Sequence, residues 1–238
     1  MKLVITGGGG FLGQRLAEAL LASGSINLPD QLKVVDPEVI LAVFGGDLPE
    51  RLGDGQVLQP ESSYGAEKAI GELLSADYSR RGYCDVRTLR LPTVVIRPGK
   101  PNAAASSFAS SILREPLSGE EAVCPVTRDC RLWIASPEAA IDAMLHALRI
   151  ERADWPKSGA VNIPGITTGV DEMLAALERK AGAAAVKRVR FERDPRIEAI
   201  VGSWPQDFDT SAALSLGFAP ESSLNDMIES FCTRYLQS

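Results

Sequence analysis

The stretch TGGGGFLG, Thr6 to Gly13, follows the apolar, β-branched run KLVIT (2–6). It opens a segment, Phe11 to about Ala22, in which Phe11, Leu12, Leu16 and Leu20 recur near helical spacing before Ser23-Gly24. Strand, glycine turn and helix in that order form the phosphate-binding start of a βαβ unit. Gly7 permits the tight turn, Gly10 lets the backbone approach a pyrophosphate, and Gly13 lets the helix pack close on the strand. The free N–H groups and positive dipole end of the helix then face the phosphates.

QLKVVD (31–36) reads as a second strand, ending in Asp36, which follows Gly13 by 23 positions. A carboxylate about 20 residues beyond the glycines can accept hydrogen bonds from an adenosine ribose. It would repel a 2′-phosphate, so the cofactor expected is NAD rather than NADP.

Composition narrows the remaining classes. The chain has 238 residues, 45% hydrophobic and 24% charged, which fits one large globular domain or a domain with a smaller lobe. Its net charge is −6 and it has no basic run, so neither nucleic acid nor an anionic membrane surface is expected as a partner. Cys84, Cys124, Cys130 and Cys232 are scattered with no C-x-x-C pair, which points to unpaired thiols and a reducing cytoplasm. The single histidine, His146, lies in AMLHAL and reads as a structural residue, so no metal is expected. No run of about 18 apolar residues marks a membrane span, and the four glycines argue against reading the opening as a signal peptide.

Further along, VILAVFG (39–45) is of strand type, 46–60 reads as a loop, and a long helix is expected from about Ser63 to Arg80. DVRTLRLPTVVI (85–96) reads as another strand. Helices are expected over 102–117, 136–150, 169–182 and 221–236, with strands at 159–165 and 186–193. The fold class expected is α/β: a Rossmann-like parallel sheet with a smaller C-terminal substrate lobe. The division expected is a dinucleotide-binding domain over 1–100 and a mainly substrate-binding lobe over 101–238, interleaved with the first. Trp133 and Trp204 read as packing residues.

SSYGAEKAIGELL places Tyr64 and Lys68 four residues apart on one helical face. A phenol is a weak acid–base group near neutrality, and a neighbouring ammonium favours its phenolate. Such a pair can move a hydroxyl proton while a nicotinamide takes the hydride.

TGGGGFLG together with YGAEK resembles the extended short-chain dehydrogenase/reductase superfamily, the NAD-dependent epimerase/dehydratase group. SSYGAEKAIGELL, RLPTVVIRPGKPNAAASSFASSILREPL, RLWIASPEAA and IVGSWPQDFD resemble the D-erythronate dehydrogenase subfamily. That resemblance implies an NAD-dependent oxidoreductase acting on the C2 hydroxyl of a four-carbon sugar acid. It implies that Gly7, Gly10, Phe11, Leu12, Gly13 and Asp36 hold the cofactor, with Tyr64 as acid–base and Lys68 on the nicotinamide ribose. It implies further that Pro92, Thr93 and Val94 line the nicotinamide, that Asn102 and Arg131 face the sugar acid, and that the protein is a homodimer. A guanidinium suits a carboxylate because it can bind it bidentately. Two other activities stand beside this one: a sugar-nucleotide epimerase or dehydratase, and an impaired relative serving only as a binding or scaffold protein.

The chain departs from the superfamily after Asp36. A doubly wound fold places two further β–α units before the tyrosine helix, so on the order of 70–90 residues are absent. Only Pro37 and Glu38 separate Asp36 from the next apolar run, and a parallel crossover needs about ten residues or more. VILAVFG must therefore continue the second strand past Pro37 or return antiparallel. By the same resemblance a serine or threonine is expected four residues before Phe44, and that position is Ile40.

Overall fold

The computed structural model of the protein describes residues 11–22, 33–99 and 104–236. The glycine turn and the KLVIT strand lie outside these residues.

The first helix, α1, is Phe11–Ala22. Strand β1, Lys33–Val39, does not stop at Asp36. It runs through Pro37 and pairs in parallel with β2, Asp85–Leu91, from Lys33 opposite Asp85 to Val39 opposite Leu91. Of the two routes open after Asp36, the chain takes continuation. VILAVFG is therefore not a strand of its own. Val39 ends β1, Ile40–Val43 forms a 3-10 turn, and Val43 and Phe44 are buried. β1 is the edge of the described sheet β1-β2-β6, where a proline that cannot donate to a ladder is tolerated. The third strand, β6, is Ala160–Asn162 and pairs in parallel with β2.

Helix α2 is Ser63–Arg80, as its sequence predicts, and lies against β2. Its cap is Ser62, whose hydroxyl accepts from the Gly65 N–H at 3.1 Å. Pro92 divides the long strand expected over 85–96, leaving β3 as Thr93–Val94. Next come α3 (Ser107–Leu117), β4 (Ala122–Cys124), β5 (Arg131–Ala135) and α4 (Pro137–Arg149). Ser136 caps α4, accepting from Ala139 N–H at 3.0 Å. β7 is Ile166–Gly169, α5 Val170–Ala181, α6 Ala183–Val186 and β8 only Val189–Phe191. Two helices that carry no strong sequence signal, α7 (Pro195–Gly202) and α8 (Ser211–Ser215), precede α9 (Leu224–Tyr235). A second sheet has the order β3-β5-β7, with β3 parallel and β7 antiparallel to β5. β4 and β8 pair in parallel by themselves.

Every residue of β2 is buried, as a strand covered on both faces must be. Alternation assigns the faces. Leu89 and Leu91 pack with Ala140, Ile141 and Met144 of α4, while Arg90 on the opposite face meets Glu72 of α2. Helix sits on both sides of the strand, the layering of an α/β fold. A separate cluster joins Ile112, Met173, Leu177, Ile228 and Phe231 from α3, α5 and α9. The third cluster unites Val43, Phe44, Leu52, Ala69, Trp133 and Phe208. No described helix is long and apolar enough to cross a membrane.

Candidate active site

Tyr64 and Lys68 lie in the first two turns of α2, and Lys68 Nζ sits 5.8 Å from the centroid of the Tyr64 ring. Their helical spacing brings them into contact as the sequence predicts. The ammonium lies over the ring, a cation–π contact. Tyr64 is 50% exposed, and its hydroxyl makes no hydrogen bond to another described residue.

The helix that carries the pair is held from its buried side. Gly65 presses on the 3-10 turn: a Cβ there would lie 1.9 Å from the Ala42 carbonyl oxygen. Glu72, two turns on from Tyr64, takes Arg90 in a bidentate pair at 2.6 and 3.0 Å. Both side chains are buried. Arg90 also donates to the Asp54 carbonyl at 3.0 Å and to Asn162 Oδ1 at 3.4 Å, and stacks 5.2 Å from the Phe44 ring centroid. The Asp54 carboxylate accepts the Asn162 N–H at 2.7 Å, so the network ties α2, β2, β6 and the 46–60 loop together. Burial holds the Asp54 carboxyl above its ordinary range, against the lowering effect of that hydrogen bond and of Arg90.

Pro92, Thr93 and Val94 are buried. Gly165 packs on Pro92, since a Cβ at 165 would lie 2.6 Å from Pro92 Cγ. The Thr93 hydroxyl is buried and has no hydrogen-bond partner among the described residues. Thr93 stands opposite Ile134 on β5, and Arg131 is the first residue of that same strand. Arg131 is exposed and lines a cleft of about 580 Å³ with Gly46, Glu50, Thr167, Trp204 and Gln206. The Gly46 N–H donates to Glu61 at 2.9 Å, which places the cleft beside the start of α2.

Other expected site residues stand apart. Gly7, Gly10 and Asn102 lie outside the described residues. Phe11, Leu12 and Gly13 form the first turn of α1, and Leu12 packs on the α4 cluster. Asp36 is the fourth residue of β1, opposite Thr88, three residues short of the strand end. The expectation that it closes its strand is thus corrected, because the chain finds no room to turn before Val39. Ile40 opens the 3-10 turn. His146 is structural: its Nε2 lies 2.8 Å from the Leu216 carbonyl and its ring meets Phe218 edge-on at 4.8 Å. The four cysteines are free.

D-erythronate dehydrogenase of Haemophilus influenzae is 36% identical over 310 aligned positions, covering 97% of this chain and 98% of that one. The chain belongs to the D-erythronate dehydrogenase family. The Cupriavidus necator D-erythronate dehydrogenase is 49% identical over 191 residues, 80% of this chain and 59% of that protein. Among solved structures, the nucleoside-diphosphate-sugar epimerase from Agrobacterium tumefaciens superposes with a TM-score of 0.81 at 40% identity, covering 94% of this chain and 64% of its own. No family model matches the chain. The chain thus spans about three-fifths of the Cupriavidus relative it matches. An alignment of 310 positions that takes up 97% of a 238-residue chain leaves roughly 80 positions of the Haemophilus D-erythronate dehydrogenase without a counterpart. That deficit is the size of the two β–α units whose absence the sequence leads one to expect after Asp36.

Sequence reasoning missed Gly65, the Glu72–Arg90 pair and Trp204 as a cleft residue. Glu72 gives a signal: it falls at the helical spacing of Tyr64 and Lys68, a carboxylate in an otherwise apolar AIGELL. Its partner could be named only once β2 and α2 were seen to pack.

Proposed function

We propose that the chain is an internally shortened NAD-dependent dehydrogenase of the kind that oxidises the C2 hydroxyl of a D-erythronate-like acid. The observation that carries this is the Tyr64–Lys68 contact on a helix anchored by Glu72 and Arg90, in a member of the D-erythronate dehydrogenase family. NAD, when bound, supplies the hydride acceptor. Tyr64, as its phenolate, takes the proton of the substrate hydroxyl as the hydride leaves, and its oxygen makes no hydrogen bond to another described residue. Lys68 holds the nicotinamide ribose, and the orphaned Thr93 hydroxyl fits a polar group of the nicotinamide. Residues 101–238 supply mainly the substrate side, through Arg131 and its cleft.

The same residue pair serves a sugar-nucleotide epimerase, the activity named for the Agrobacterium structure. The absent segment bears on the rate of either reaction. It removes one wall of the cofactor crevice, and a misplacement of about 1 Å at a reacting group costs about 100-fold. Ile40 supplies no hydroxyl where the family places one, which costs about 100- to 1,000-fold more. Weak or no NADH formation from D-erythronate is therefore expected of the chain as it stands. Restoring the segment after Asp36 should recover turnover, and Tyr64→Phe in the restored chain should abolish it. A restored chain that still forms no NADH overturns the proposal.

A further inference from the structure

Strand β3 ends at Val94, and the chain that leaves it breaks two local rules. The Val95 N–H still donates to the Ala135 carbonyl at 2.9 Å, as a strand residue would. Ile96 then takes a φ of 58°, the one non-glycine residue with a positive φ among the described residues. A β-branched side chain fits that left-handed region poorly, and such strain persists only where the surroundings over-determine it. The second break is in the alternation of faces. Val94 packs in the α4 cluster and Val95 in the α3–α5–α9 cluster, so an extended Ile96 would return to the first face. It joins the second instead, with Phe108, Ala109 and Ile112 of α3.

Helix α3 supplies what holds the turn. The Ser110 hydroxyl accepts the Ile96 N–H at 3.2 Å, the donor left over where the ladder stops. One helical turn on, Arg114 donates to the Arg97 carbonyl at 2.9 Å. Ser110 and Arg114 are buried, and the buried Glu115 takes the other arm of the Arg114 guanidinium. Ser111, also buried, spends its hydroxyl within the helix, on the Ser107 carbonyl at 3.0 Å. Two adjacent serines thus divide the work: one serves α3, the other the turn. Three residues upstream of Ile96 stands Thr93, whose buried hydroxyl has no partner among the described residues.

We propose that Ser110 is a positioning residue for the nicotinamide end of the cofactor site, acting through the Ile96 turn on Thr93. The inference rests on the dehydrogenase reading above and adds to it a residue from the second half of the chain. A left-handed residue directly after the last ladder bond fixes the direction in which the backbone leaves β3. Two contacts from one helix keep that residue from relaxing to extended backbone. Without the Ser110 hydroxyl the Ile96 N–H is buried with no acceptor, a penalty that the turn escapes by unwinding. Unwinding shifts Val95, and with it the strand end that presents the Thr93 hydroxyl. By the reading above, the adenosine and pyrophosphate fall to the glycine turn and α1, so the nicotinamide end alone should feel the change.

Calorimetry on the full chain tests this with two probes, NAD and ADP-ribose, which lacks the nicotinamide. Ser110→Ala should weaken NAD by about 5- to 10-fold and change ADP-ribose by less than about 2-fold. Ser111→Ala is the control: the same atom is lost one residue on, and neither affinity should move. Thr93→Val keeps the side-chain shape, removes the hydroxyl, and should also weaken NAD alone. Because Ser110 acts through Thr93, the double variant Ser110→Ala/Thr93→Val should lose no more than the larger single loss. Thermal melts show that each variant is folded. Unchanged NAD affinity in Ser110→Ala, equal losses for both probes, or losses that add in the double variant overturn the positioning role and leave the dehydrogenase reading in place. A Ser110→Ala chain that does not fold shows a purely structural hydroxyl and overturns it as well. A parent chain that binds neither probe overturns the positioning role together with the cofactor assignment for this chain.

Discussion

Gly65 stands against the carbonyl oxygen of Ala42, so close that a Cβ at 65 would lie 1.9 Å from it. The first turn of the tyrosine helix therefore rests on the backbone that leaves β1. Two neighbours reinforce the seat: the same Cβ would lie 2.8 Å from the Ala42 carbonyl carbon and 3.0 Å from Pro60 Cβ.

Gly65→Ala should therefore destabilise the fold by about 1–3 kcal/mol, because backbone, not a flexible side chain, must move. Gly53→Ala is the control: its Cβ meets nothing within 4 Å, and its effect should stay within about 0.5 kcal/mol. Urea unfolding of both variants checks the contrast. Equal midpoints for the two would show that the turn yields freely.

Removing Glu72 strands a buried guanidinium. Glu72→Leu should cost about 3–5 kcal/mol, since Arg90 keeps only the Asp54 carbonyl and Asn162. The double variant Glu72→Leu/Arg90→Met should regain most of that loss, because two apolar side chains need no partner. If the double variant is no more stable than the single one, the cost lies in packing rather than in the unpaired charge.

Asp54 gives a stability effect with a definite sign. Its folded carboxyl is raised above 3.8 by burial, so ionisation is harder in the folded protein than in the unfolded chain. Its contribution is favourable at acidic pH and is lost as pH rises through the raised value. Asp54→Asn should thus be more stable than the parent at pH 7, with the advantage shrinking as pH falls toward 3.8. Guanidinium melts at several pH values measure it. An advantage that grows on acidification would reverse the sign and sink the account.

Cys130 should be a slow thiol. Desolvation, with Cys124 and Asp129 adding to it, pushes it to about 11 from an ordinary 9.0. At neutral pH its thiolate fraction is then about 100-fold below that of an unperturbed cysteine. Peptide-level alkylation should show Cys130 labelling still rising steeply above pH 9.0, where an ordinary cysteine begins to level. A plateau below that point would contradict the shift.

Local chemistry wrote most of the secondary structure into the sequence. Ser62 and Ser136 as caps fixed the starts of α2 and α4, and Pro92 marks where the expected strand over 85–96 divides. The Tyr64–Lys68 contact needed only helical spacing. VILAVFG shows the limit of such reasoning. Its apolar, β-branched residues suit a strand, but Val43 and Phe44 turn into a cluster with Leu52, Trp133 and Phe208 instead. Periodicity states that residues are buried and leaves open what buries them.

What the sequence determined by itself was the α/β class, the helix carrying Tyr64 and Lys68, and the length of chain absent after Asp36, since each follows from spacing along the chain. The tertiary structure alone decided that β1 runs on past Asp36, that Arg90 reaches Glu72 across 18 positions, and that Arg131 shares a cleft with Trp204. Those pairings join residues far apart in the chain, and nothing local specifies them. They exist because β2, covered on both faces, sends Leu89 and Leu91 to one helix layer and Arg90 to the other, where a buried charge has to find its partner.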